Sequence, residues 1–238
     1  MSVTGGWPRR LRRAIWFVAA AVLAVQTVVI ALNLHHRAGP WDLEAEYGYP
    51  ALLDTALLAA GSLCCLACFV AAAVHPQAVG RRWSWLAAGL VLAWLFVDGG
   101  WAVHERVVPA LQPWLDRRFG VTAPPWFWLV PYAPLLGLGA LAILSVTELI
   151  FRRDRVAGAA CALGLVCWGG AVLTEPVGLQ LWQGSHPSLY TAAVVVEESL
   201  EVAGALGILV GVALYGAGAW EAAPAPEERG VAAGAGSR

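Results

Sequence analysis

The sequence predicts an all-α integral membrane bundle of six transmembrane helices, both termini cytoplasmic. Three observations carry that expectation. The 238 residues are 59% hydrophobic and only 13% charged, and the mean hydropathy of +0.66 is too apolar for an ordinary soluble domain. Six apolar runs are each long enough to cross a bilayer, which takes about 20 residues. Between them, arginines concentrate in alternate loops, the charge bias that orients membrane helices.

The runs follow in order. Residues 1–13 are polar and carry Arg9, Arg10, Arg12 and Arg13. Residues 14–34 form the first span. This run exceeds the roughly 7–15 residues of a signal-peptide core and lacks an Ala-x-Ala exit, so it reads as retained. Further spans are expected at residues 50–74, 83–103, 126–150, 158–182 and 190–215. The connection 105–125 is longer than the others and is read as holding a brief interfacial helix at about 108–118. Residues 14–216 then form the membrane domain, and the Ala/Pro/Gly/Glu-rich stretch 217–238 reads as a disordered tail.

All 15 basic residues are arginine. Eleven fall in the N-terminal segment, the 75–82 loop, the 151–157 loop and the tail; four fall in the other three loops. This places both termini in the cytoplasm of a bacterial plasma membrane protein. Trp101, Trp114, Trp126, Trp128 and Trp182 would then mark the outer interface, and Trp16, Trp83 and Trp85 the inner one. A net charge of -1 gives no basic field for nucleic acid; the partner implied is the lipid bilayer. Cys64, Cys65, Cys68, Cys161 and Cys167 all lie in apolar runs and read as small apolar filling.

The chemistry concentrates in the last span, at Glu197-Glu198-Ser199-Leu200-Glu201. One ionised acid near mid-membrane costs roughly 2.5–3.5 kcal/mol on insertion scales, so three require compensation. At 100° per residue the three share one arc of the helix. Gly204 continues the edge of that arc, and Gly207 and Gly211 form a small-xxx-small pair that favours close helix packing.

Asp98, His104, Glu105 and Glu175 fall at depths comparable to the glutamates, roughly 0–17 Å below the outer interface by helix rise. Asp98 and Glu105 are seven apart, hence on one helix face, with Trp101 near that face and His104 beside it. Gly99-Gly100 after Asp98, Pro176 after Glu175, and Pro131 and Pro134 in the fourth span are backbone irregularities that membranes tolerate inside protein or beside a cavity. Asp54 reads as capping the second helix. Glu148, four residues before Arg152, reads as an interfacial ion pair. His35, His36, His75 and His186 read as solvated loop residues.

Carboxylates with one imidazole suit a divalent ion such as Mn, Fe or Zn. Asp98, His104, Glu105, Glu175, Glu197, Glu198 and Glu201 are accordingly the expected metal ligands, and an intramembrane enzyme acting on a lipid-like substrate is the function such a centre would serve. The spacing of Glu198 and Glu201 matches the Glu-x-x-His of di-iron bundles only in part, because the second residue is Glu. Without a metal the same cluster reads as the site of a small proton- or cation-coupled transporter. A structural or assembly role is the third alternative. No second intramembrane histidine is available for bis-His haem, and no hydrolase triad or phosphate loop stands in a credible context.

Asp98-x5-His104-Glu105 together with Glu197-Glu198-x-x-Glu201 resembles a set of bacterial six-helix membrane proteins. Their helix often reads Asp-Glu-x4-His-Glu. Gly99 stands here where the second acid would be, which removes one ligand. The resemblance implies a shared site and nothing about a reaction.

Overall fold

Backbone in hydrocarbon must satisfy its own polar groups, and this chain does so with helices. A computed structural model describes residues 7–36, 43, 48–74, 79–184 and 186–221. Among them are seven α-helices: α1 (Trp7–His36), α2 (Tyr49–Val74), α3 (Arg82–Trp101), α4 (Val103–Phe119), α5 (Leu129–Phe151), α6 (Arg155–Gln183) and α7 (Pro187–Glu221). A 3-10 turn at Pro125–Trp128 leads into α5. Six of the seven are long and apolar enough to cross a membrane; α4 is the exception. The protein is therefore a polytopic, all-α membrane bundle.

α7 is the most enclosed span and packs against α1, α2, α5 and α6. Its tightest partner is α6, and glycine makes that possible. A methyl group built on Gly164 would lie 2.6 Å from the Gly204 carbonyl oxygen. One on Gly207 would lie 2.8 Å from the Ala160 oxygen, and one on Gly211 2.6 Å from the Ala157 oxygen. The small-residue stripe thus brings two backbones into contact, as the spacing predicts. Cys161 lies fully buried in this seam and its thiol donates to the Ile208 carbonyl at 3.6 Å. Cys65 and Cys68 are also buried and all five cysteines are free, in keeping with apolar filling.

One end of the bundle is tied by polar contacts. Arg12 of α1 reaches Asp154 at 2.7 Å. Asp154 also caps α6, accepting from the Val156 and Ala157 amides at 3.0 Å each. Burial pushes the Asp154 carboxyl up, but the Ala157 amide and Arg12 outweigh it and hold it below the ordinary 3.8. Trp85 and Tyr215 both donate to the Val79 carbonyl, at 3.2 and 3.0 Å, and the Arg153 guanidinium lies over the Tyr215 ring. The start of α1, the turns before α3 and α6, and the end of α7 therefore share one end of the bundle. Those are the arginine-rich segments.

Several expectations change. The helix predicted at about 108–118 is longer, Val103–Phe119. α7 continues through residues 217–221, which were expected in the tail; residues 222–238 lie outside the described residues. α1 begins at Trp7 and ends at His36, so its arginines sit on its first turns and His35 and His36 on its last. His75 lies outside the described residues. Trp85 is not an interfacial anchor but is fully buried, its indole engaged by Val79.

Candidate acid cavity

The site forms at the opposite end, where six helices contribute polar side chains to one cavity of about 330 Å³. α3 stops at Trp101 because Ala102 turns into the left-handed region, φ 46° and ψ 49°, with its amide bonded to the Asp98 carbonyl. The turn corrects the expectation that Asp98 and Glu105 share a continuous helical face. It folds the start of α4 back onto the end of α3. His104 then bonds Asp98 twice, through its backbone amide at 3.0 Å and its ring Nδ1 at 2.8 Å. Tyr132 of α5 donates a third bond to Asp98 at 3.1 Å. Glu105, on the first turn of α4, is exposed at the cavity edge.

Burial pushes the His104 imidazole down. The hydrogen bond and charge of Asp98, with the charges of Glu175 and Glu105, push harder in the other direction and hold it above the ordinary 6.5. His104 therefore holds its proton more readily than a free imidazole.

Glu175 of α6 has a different partner. The 3-10 turn presents Trp128, whose indole N–H donates to Glu175 Oε1 at 2.7 Å. Trp128 is buried, 4.6 Å from the His104 ring and 5.5 Å edge-on from Tyr132. It is a wall of the site and not the outer-interface marker expected. Pro176, next to Glu175, cannot donate to the Val172 carbonyl, and Val172 also lines the cavity.

Glu197, Glu198 and Glu201 of α7 line the same cavity, partly buried. Asp54 joins them from α2. It was expected to cap that helix, but α2 starts at Tyr49, which puts Asp54 beyond the first turn. Asp54 is only 7% exposed and its Oδ1 has no hydrogen-bond partner. Its charge acts on both Glu198 and Glu201 across the α2–α7 interface. Among the described residues no ion pair reaches Asp54, Glu197, Glu198 or Glu201.

All seven expected site residues thus line one cavity, with Asp54 as an unexpected eighth. Among the described residues they face seven carboxylates toward one space against a single imidazole, and no arginine lines it. They are spread along the walls: among the described residues no three His, Cys, Asp or Glu side chains are grouped so as to hold one metal ion. The expected ion pair Glu148–Arg152 forms at 2.6 Å, at the other end of α5.

No curated protein and no solved structure matches the chain. A family model described as a domain of unknown function (DUF8692) matches residues 14–215, which takes in all six spans and every acid of the cavity. The chain belongs to that family.

Proposed function

We propose that this membrane protein is a small carrier that binds a cation in the acid cavity and couples it to protons. One observation carries the reading: among the described residues, seven carboxylates and no arginine line a space in which Asp54 Oδ1 is buried without a partner. A buried acceptor without a donor is costly, and a cation in the cavity would relieve several such costs together. Carboxylates out of water also exchange protons with bound cations, the chemistry of intramembrane relays. The arginine distribution supports a plasma membrane orientation with both termini cytoplasmic, so the cavity would face outward. Proteoliposomes containing a pH-sensitive dye test this. An inward gradient of a transported cation should drive proton efflux in wild type and not in Glu201→Gln. Proton movement identical in the two would count against the carrier.

A second reading is a divalent metal centre, Mn, Fe or Zn, in an intramembrane enzyme acting on a lipid-like substrate. It is favoured by the imidazole among the carboxylates, and the ion would have to draw ligands together from separate helices. Asp98, His104, Glu105, Glu175, Glu197, Glu198 and Glu201 are the ligands it would draw on. Elemental analysis decides: this reading requires near-stoichiometric metal in wild type, lost in Glu201→Ala and kept in Glu148→Ala.

A further inference from the structure

The cavity holds a second chemical feature beside its acids. Trp94, Tyr132 and Trp128 form a continuous aromatic wall, with ring centroids 6.5 Å apart for the first pair and 5.5 Å for the second. Trp168 lines the cavity as well. Three polar groups at this wall already have partners. The Tyr132 hydroxyl and His104 ring are engaged by Asp98, and the Trp128 indole by Glu175. Thr55, which also lines the cavity, donates to the Ala51 carbonyl. A ligand in this part of the cavity therefore meets carboxylates and π faces, with the Tyr132, Trp128 and Thr55 donors engaged. That does not suit an anion.

The negative charge has two parts. Asp98 is engaged by His104 and Tyr132, and one oxygen of Glu175 by Trp128. Asp54, Glu198 and Glu201 have no ion-pair partner among the described residues, and no described arginine lines the cavity. Asp54 is more than nine-tenths buried and its Oδ1 lacks a partner. The volume of about 330 Å³ falls within the roughly 300–1,000 Å³ of organic-ligand pockets; a bare ion would leave most of it unfilled. Carboxylates beside aromatic faces are the recognition chemistry of organic ammonium ions.

We propose that the ligand is an organic ammonium ion, its charged head at Asp54, Glu198 and Glu201 and its apolar body against Trp94, Tyr132 and Trp168. This rests on the cation reading above and adds the ligand class. The head gains Coulombic attraction from three acids, and the body gains aromatic contact.

Tryptophan fluorescence of the purified protein tests it, with benzyltrimethylammonium chloride as probe. Sodium chloride, manganese chloride and uncharged benzyl alcohol are titrated in parallel. The ammonium should bind saturably with a Kd of about 1 mM or tighter, and the other three at least about tenfold more weakly. Asp54→Asn and Glu201→Gln should each weaken it about tenfold or more, and Trp94→Leu about threefold. In wild type the ammonium should also protect Glu198 and Glu201 from dicyclohexylcarbodiimide, read by mass spectrometry, so the test stands even where a variant fails to fold. Binding of sodium or manganese but not the ammonium would overturn this inference and leave the cation reading intact. Equal binding of benzyl alcohol, or ammonium binding with neither variant effect nor protection, would overturn the inference. Binding by no cation at all would overturn both.

Discussion

Replacing Gly164 by alanine tests the seam between α6, which carries Glu175, and α7, which carries the cavity's three glutamates. The new methyl carbon would lie 2.6 Å from the Gly204 oxygen and 2.8 Å from the Ile208 nitrogen. Both are backbone atoms, so no side chain can rotate aside. Ordinary contact begins at 3.4 Å, and the helices would have to part by roughly 0.8 Å along that line. Overpacking of this kind costs about 1–3 kcal/mol. Alanine returns about 1 kcal/mol of helix propensity, leaving a net loss of up to about 2 kcal/mol. At roughly 2–4 °C per kcal/mol for a chain of this size, the midpoint should fall by up to about 8 °C. Gly169→Ala, on the same helix, is the control: its methyl would meet nothing within 4 Å, so propensity alone acts and the midpoint should hold or rise. Thermal unfolding in one detergent, followed by intrinsic fluorescence, reads both. A Gly164→Ala midpoint equal to or above that of Gly169→Ala would refute the close-contact reasoning. Because Glu175 and Glu201 lie on these two helices, the same substitution should also weaken any ligand held between them.

The remaining predictions concern charge. His104 is held above its ordinary 6.5, so its pairing with Asp98 should stabilise fully below that value and be lost as pH rises through the raised one. His104→Gln should therefore destabilise by about 1.5–3 kcal/mol in mildly acidic detergent, with the gap from wild type narrowing in alkaline buffer; a gap that widens with pH reverses the assigned sign. Asp154→Ala removes both a helix cap and an ion pair and should cost about 1–2 kcal/mol, against less than about 1 kcal/mol for Arg12→Ala. Asp154 is held below 3.8, so its contribution should be present above that value and fade as pH falls through the lowered one, a trend that acid titration of the melting midpoint checks. Glu148→Ala breaks only a solvent-exposed pair with Arg152 and should shift stability by less than about 0.5 kcal/mol in the same assay.

The fold was legible because length and hydropathy decide what can cross a bilayer, and each of the six apolar runs became a long helix. Close packing of α6 on α7 was legible in Gly207 and Gly211, since only small residues let backbones meet. The site was legible as a set, because an acid in a span must find company, and Glu175, Glu197, Glu198 and Glu201 do line one cavity. What periodicity could not reveal was the turn at Ala102. Nothing in Trp101-Ala102-Val103 announces a left-handed residue, yet it alone brings His104 back onto Asp98 and moves Glu105 to the edge. Asp54 was misread because an acid about one turn into a span has the same spacing whether it serves the helix start or turns toward acids on another helix. Trp128 and Trp85 were misread as interfacial because a tryptophan near a span's end has the same spacing whether it faces lipid or turns inward to an acceptor. In Trp128 that acceptor is Glu175, 47 positions away, a pairing only the three-dimensional arrangement reveals.

The central claim is that the cavity selects positive charge, and isothermal titration of wild-type protein measures this most directly. Sodium, manganese and benzyltrimethylammonium chlorides are titrated beside sodium benzenesulfonate, an aromatic anion. At least one cation should bind saturably near one per chain, and benzenesulfonate should give no saturable heat. Saturable binding of the anion, or of none of the four, by protein that unfolds cooperatively would contradict the account.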